Sequence, residues 1–523
     1  VGLFKSTNGG LTFSRVLNTP NVLGKANDGL DNLSGTNLNN IGIAVSPYNV
    51  NKIAMASFSI WASVNGGSTV NHVAYYYGGP NENVHCDINY LDYNPLNGYL
   101  YAATDGGVFV SMNDGVNWTY LSQNLNCAQM YHMAGAKSDY AYLAAGFQDN
   151  GIQNRTSYTG VFDISNNSDG YSIAYDPNDN TRFYVTFNDV GVAKTNNGRF
   201  NLYDPISFES FFPYVGRHPT NTNNLIIGTN AKLYFSNFNG DIPIRLIDSV
   251  KGNRRIIYCP SNPNIIYTAS SFGIWKSTDA GITWSKISLN SGFPSPPYTI
   301  TSIAVNPVNA NIVMVCFGGY SADKKVFYSS SGGSYWYNVG NSLPNLPVNC
   351  VAINSDNSAY IGTDIGVYYQ SPSDISWLPF YNGLPRVPVT DLVLYPSFSN
   401  STMFASTYGR GIWQSNMKQI CDEYSNLTGT AGGQLFYQAN NIVSTQQVTT
   451  IDSTLIYYRG ANTITFEPGF EVTRGNQIKA YIGNCDVHGL PTFRSQINKR
   501  LINFPAYLTE ADQQLKNGVW MAY

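Results

Sequence analysis

The sequence predicts an all-β protein: about seven complete four-stranded blades of a β-propeller in one ring, extra blades before it, and a small β-stack module after it. Three observations carry this. A unit of an apolar run, a second short run and then Gly-aromatic-x-x-Ser recurs every 40 to 50 residues or so, the length of four short strands. A Ser-x-Asn/Asp-x-Gly turn, often followed by Trp, closes many of these units in register. Composition agrees: 48 Gly and 39 Tyr stand against only 12% charged residues, a mixture of turn and strand formers.

First strands start near Ile41, Asp87, Gln129, Tyr171, Phe212, Arg255, Ile300, Asn349 and Val389. The unit from Arg255 is the clearest, with runs Arg255–Pro260, Ile265–Ala269, Gly273–Ser277 and Ile282–Ile287, each strand-sized and bounded by turn residues. Its turn reads Ser277-Thr-Asp279-Ala-Gly281-Ile-Thr-Trp284. Four variants repeat it: Ser6, Asn8 and Gly10; Ser63, Asn65 and Gly67; Ser111, Asn113, Gly115 and Trp118; and Ser329, Gly333 and Trp336. In such a turn the Ser and Asn or Asp side chains bond turn amides, the Gly takes positive φ, and the Trp packs between sheets, so a structural role is expected. Counting from Gln129 to Ser415 gives seven units, while Gly2 to Val16 holds only the last two strands of one.

The division that follows makes 1–125 the terminal blades of a first propeller, 126–416 a seven-bladed propeller, 417–487 a small β-stack, and 488–523 an unassigned extension with a short helix over 509–516. The alternative is one ring of eight or nine blades that includes the N-terminal strands.

Net charge is −3, so there is no basic field for nucleic acid or an anionic membrane. Apolar runs are strand-sized, well short of a transmembrane helix. Opening on Val1 without a charged-then-apolar leader, the chain reads as a mature chain or a fragment, and its composition as that of an exported extracellular or cell-surface protein. Seven cysteines include no Cys-x-x-Cys pair, so neither zinc nor another cofactor is expected. Cys86, Cys127, Cys259, Cys316 and Cys350 read as buried thiols. Cys421 and Cys485 each precede an Asp and bracket the β-stack, where a disulfide is expected.

Together with Gln148-Asp-Asn-Gly151, His85-Cys-Asp87, Asp105-Gly-Gly107 and Thr407–Trp413, the Ser-to-Trp turns make residues 1–415 resemble the BNR/Asp-box propellers. That superfamily includes sialidases, xyloglucanase-like glycoside hydrolases and sortilin-type binding domains, so the resemblance implies the fold and leaves activity open. Residues 421–486 resemble the coathanger-stack module of bacterial proteins exported by the type IX system, carried by Ala461–Gly475, Ile478–Ile482 and Cys485-Asp486. The resemblance implies surface display.

Repeat position places Asp87, Asp105, Asp149 and Asp169 together as candidate catalytic carboxyls, with His85, Gln148, Asn150, Tyr408 and Arg410 as candidate binding residues and Asp364 on the same face. Glycosidic hydrolysis needs one protonated and one ionised carboxyl about 5 to 9.5 Å apart. Asp105 and Asp149 each precede turn residues, so capping a turn competes with catalysis there. His85 reads as polar packing. Clustered arginines for a sialidase are absent, as are the Gly-x-Ser-x-Gly, P-loop and His-Glu-x-x-His signatures. Two readings follow: a binding or surface-structural protein that takes a glycan or a surface protein on its loop face, within a larger assembly or longer chain, and a xyloglucanase-like hydrolase.

Overall fold

The computed structural model describes residues 2–482, less a series of short segments of which 31–40, 75–83 and 202–212 are the longest, and residues 521–522. Cys421, Cys485 and the helix expected over 509–516 lie outside the described residues. Among those described the chain is all β, with one 3-10 turn at Ile287–Leu289. No described helix is long and apolar enough to cross a membrane.

The chain forms two compact units. The first holds residues 1–129 with 146–152 and 164–170, and the second holds the remainder. Residues 1–129 form a two-stranded sheet, Leu3–Lys5 with Ser14–Leu17, then two four-stranded sheets that begin at Gly42–Ser46 and Ile88–Tyr93. Seven sheets follow, each antiparallel and meandering in sequence order, beginning at Met130–Gly135, Gly170–Tyr175, Tyr214–Arg217, Arg255–Tyr258, Ile300–Val305, Val348–Ile353 and Val389–Tyr395. The fourth strand of the last sheet comes from the far end of the chain, where Met521–Ala522 pairs with Gln414 and Trp413.

Within the second unit the first strands pack on one another in turn: Tyr214–Arg217 on Arg255–Tyr258, then Ile300–Val305, Val348–Ile353 and Val389–Tyr395, which also packs on Met130–Gly135. That last approach is close, since a Cβ on Gly135 would stand 1.6 Å from the Tyr395 hydroxyl. Between sheets the core is apolar, as in the cluster of Tyr267, Ile274, Ile303, Val313, Val315, Phe317 and Trp336. Burying such side chains is the main favourable term, at roughly 25 cal/mol per Å². Cys86, Cys259, Cys316 and Cys350 are buried among these sheets, but Cys127 is exposed, a correction to the expected burial. It stands in the segment after the short outer strand Thr119–Tyr120, where no sheet covers it.

The five Ser-led turns share one hydrogen-bond network. The Ser hydroxyl accepts the glycine N–H in each: Gly10 to Ser6 at 2.9 Å, Gly67 to Ser63 at 2.9 Å, Gly115 to Ser111 at 2.7 Å, Gly281 to Ser277 at 2.8 Å and Gly333 to Ser329 at 2.9 Å. Two residues after the Ser, an acceptor takes the N–H four further on, as Asp279 does from Thr283 at 2.8 Å. Positive φ at the glycines, 84° to 94°, lets the turn close, a conformation other residues adopt only at a cost. Asn8, Asn65, Asn113 and Ser331 stand where Asp279 does. Trp118 and Trp336 then reach back to the preceding repeat, donating to the carbonyls of Val73 on its outer strand and of Ile287 in the 3-10 turn, whereas Trp284 donates to Gly281 of its own turn.

Residues 424–482 change the pairing rule. Tyr424–Leu427, Gln434–Ser444, Leu455–Phe466 and Gln477–Ile482 stack as a parallel sheet, and Thr430–Ala431, Gln447–Val448 and Glu471–Val472 as a second one. Parallel in-register rungs bring like positions above one another, and Ala439, Ile442, Val448, Ile456 and Tyr458 fill the narrow interior. Short strands and Pro-Gly turns were legible in the sequence; the parallel coil was not.

Replacing Ser277 by Ala should lower stability by about 1 to 2 kcal/mol, because the buried Gly281 N–H loses its acceptor. Thermal melts of the variant against the parent measure this, and an unchanged midpoint would show that the turn contributes nothing.

Candidate functional site

Two groups of polar residues stand out, one in each unit. In the first unit the structure brings Asp149 together with Asp105 and Asp169, and sets Asp87 beside Cys86. His85, Cys86 and Asp87 lead into the strand Ile88–Tyr93, Asp105 sits in the turn between Leu100–Thr104 and Gly107–Ser111, and Asp149 and Asp169 lie on 146–152 and 164–170. Asp149 N–H donates to Asp169 Oδ1 at 2.6 Å, and Gly151 bridges Asp169. His85 Nε2–H donates to the Asp149 carbonyl at 2.9 Å, and its ring lies where a Cβ on Gly106 would be, 2.3 Å away. Asn89 Nδ2–H donates to Asp105 Oδ1 at 2.5 Å. Asp87 and Asp149 both adopt positive φ, near 57° and 56°, which costs a non-glycine residue energy and is sustained only by such surrounding bonds.

Charge follows from this crowding. Burial first, then the Asp169 and Asp105 carboxylates, raise the Asp149 pKa to about 7, with His85 pulling the other way. Burial and the nearby Asp87, Asp149 and Asp105 charges also push the Cys86 thiol far up, so it is no nucleophile. Asp149 can therefore hold and release a proton near neutrality. Its hydrogen bond with Asp105 makes those two a proton-sharing pair, too close to straddle a glycosidic bond. Among the described residues no amide of the 105–107 or 149–151 turns donates to either carboxyl. Gln148 and Asn150 are occupied locally, Gln148 N–H on the Gln129 carbonyl and Asn150 Nδ2–H on the Gln148 carbonyl. Among the described residues no three His, Cys, Asp or Glu side chains are arranged to hold a metal ion.

The second group lies at the ends of the first strands in the second unit. Tyr131, His132, Tyr171, Arg255, Thr301, Asn349, Asp364, Pro388, Thr390 and Tyr408 line a pocket of about 260 Å³. A recurring irregularity helps to build it: the strands starting at Ile300, Val348 and Val389 each slip register by one residue, at Thr301, Asn349 and Thr390. Such a bulge re-aims a side chain, and all three of these residues line the pocket. Asn349 Nδ2–H donates to Asp364 Oδ1 at 2.9 Å, repeating the Asn89 to Asp105 bond of the first unit on the parallel motif Thr-Asp-x-Gly-Val. Arg410 is exposed, donates to the Gly409 carbonyl and does not line this pocket.

Beneath the pocket lies a buried charge cluster. Asp391 Oδ2 accepts His132 Nδ1–H and Arg255 Nη1–H, both at 3.2 Å, and Oδ1 accepts the Leu392 N–H at 3.1 Å. Arg255 also donates to the Tyr214 hydroxyl at 2.9 Å. Burial alone would raise Asp391; Arg255, then His132 and the Leu392 amide, hold it near pKa 2 instead. Burial and the Arg255 charge bring His132 down to about 4, so it is neutral at physiological pH. Tyr171 and Tyr214 stand edge-on to its ring, with centroids at 4.6 and 5.5 Å.

Asp364 and Tyr408 were found from repeat position, whereas His132, Arg255, Asp391, Tyr131 and Tyr171 were missed as site residues. The signal was available: three titratable residues sit within first strands that otherwise read as apolar and β-branched.

Two changes test these electrostatics. Asp391→Asn should cost about 3 to 5 kcal/mol by leaving Arg255 buried without its counter-charge, measured by denaturant unfolding. For Asp149 the folded pKa lies above the ordinary 3.8, so its contribution is fully present below pH 3.8 and is lost as pH rises through 7. Asp149→Asn should accordingly match the parent near pH 4 and be more stable than it at pH 8, by about 1 to 2 kcal/mol once solvent screening is allowed for. Equal melting differences at the two pH values would contradict this.

No family model and no curated protein matches the chain. Among solved structures, an ancestral GH74 enzyme superposes with a TM-score of 0.36 at 16% identity, over 61% of this chain and 43% of that one. A chain of the mitotic checkpoint complex superposes with a TM-score of 0.38 at 12% identity, over 54% of this chain and 89% of that one. The chain thus spans less than half the length of the GH74 enzyme.

Proposed function

We propose that this is an exported, surface-associated β-propeller protein that binds a glycan in the tyrosine-lined pocket of its second unit. The observation that carries the reading is the composition of that pocket: Tyr131, Tyr171 and Tyr408 bring aromatic rings to its lining, while Thr301, Thr390, Asn349 and Asp364 bring hydroxyl and amide groups and one carboxylate. Sugar rings present apolar C–H faces ringed by hydroxyls, and aromatic platforms flanked by hydrogen-bonding groups complement both features. At about 260 Å³ the space suits a terminal sugar rather than a buried oligomer. Packing of Val389–Tyr395 on Met130–Gly135 supports a closed ring of seven sheets around it. The parallel β-stack of 424–482 suits a spacer that holds the propeller away from a surface, with a surface protein as a further partner.

One observation favours a second reading as a glycoside hydrolase. Asp149, with its pKa near 7, has the property a general acid needs, although its hydrogen-bonded partner Asp105 is too close to serve as the opposing base.

The test is calorimetric titration of the full chain with a panel of neutral, acidic and amino oligosaccharides, alongside assays for released reducing ends. Glycan binding that falls at least tenfold in Tyr131→Ala and Tyr408→Ala, with no bond cleavage, is the expected result. Cleavage abolished by Asp149→Asn would establish the hydrolase instead.

A further inference from the structure

We propose that the pocket selects a glycan bearing a protonated amine, that is, a sugar whose amino group is not acylated. This rests on the glycan reading and deepens it. The starting point is a charge count over the pocket and the groups directly beneath it. Arg255 is the cation there, and its buried guanidinium is bound at 3.2 Å by the partly buried Asp391 carboxylate, so the two cancel. His132 donates one proton to that same carboxylate, and its burial beside the Arg255 charge keeps it uncharged. Asp364 remains as the one charge without an ionic partner among the described lining residues. Its Oδ1 is held by Asn349, a neutral donor that orients the carboxylate without neutralising it, and Oδ2 has no hydrogen-bond partner among the described residues.

The tyrosines reinforce that sign. Tyr131 stands 5.5 Å from Tyr171 at 56° and 6.3 Å from Tyr408 at 43°, so the rings are tilted in each pair and do not form one flat platform. Tilted aromatic faces beside a carboxylate attract a compact organic cation through the negative ring face, by an amount that grows as the cation loses water. An N-acetylated sugar forfeits both attractions, and a uronic or sialic acid meets Asp364 as a like charge. The ammonium group is thus the substituent for which every named group acts in the same direction.

The experiment titrates the full chain at low ionic strength and pH 6 with three matched oligosaccharides, glucosamine, N-acetylglucosamine and glucose oligomers, and with tetramethylammonium as a sugar-free cation. The expected outcome is at least tenfold tighter binding of the glucosamine oligomer than of either neutral one, a preference that shrinks with added salt. In Asp364→Asn, checked for an unchanged melting profile, the ratio of amine to neutral affinities should fall to about one. Equal or tighter binding of the neutral oligomers overturns the amine inference while leaving the glycan reading intact, as does a preference that survives in Asp364→Asn. Binding of tetramethylammonium with no binding of any sugar overturns the glycan reading and retains the cation preference. Binding of none of the four overturns both.

Discussion

Asp391 is the constraint on which the centre of the second unit depends. Its carboxylate sits among the first strands, and two of them send a side chain to it: His132 from Met130–Gly135 and Arg255 from Arg255–Tyr258. A buried guanidinium without that partner would be worth several kcal/mol of instability. The strands therefore cannot slip past one another without exposing an uncompensated charge. Above this cluster the pocket inherits rigid walls, because Tyr171 rests on His132, and His132 is oriented by Asp391. A neutralised floor is also what allows one carboxylate, Asp364, to set the sign of the pocket.

The repeat supplies the rest of the site by a recurring local device. A one-residue slip in the first strand turns Asn89 or Asn349 towards the following strand pair, where it holds Asp105 or Asp364. In the second unit the held carboxylate borders the tyrosine pocket. In the first unit it is drawn into a crowd of acids, where Asp149 carries the proton that relieves their repulsion. One motif thus yields two electrostatic results, decided by which neighbours surround it. Proximity of carboxyls is by itself a poor guide to hydrolysis, because the chemistry needs a gap for the sugar and Asp105 and Asp149 have closed theirs.

Much of the architecture was legible along the chain. Positions such as Ser277, Asp279 and Gly281 announce their turn because each acts within five residues, bonding its own amides. The acid group was legible too, since repeat phase alone assigns Asp87, Asp105, Asp149 and Asp169 to turns and links on one loop face. The buried cluster was not. His132 and Asp391 lie 259 residues apart, and nothing local to either marks it as the other's partner.

The sequence by itself determined the strand grammar, the turn chemistry and the candidate carboxyls, because periodicity and turn bonds act over a few residues. Tertiary structure alone decided that the last sheet is completed by Met521–Ala522, that residues 424–482 pair in parallel, and that Arg255 is neutralised. It also decided which carboxylates share a proton and which stands alone. These outcomes depend on distances between remote segments and on burial, which set the dielectric and the partners of each charge, and neither quantity is written in local sequence.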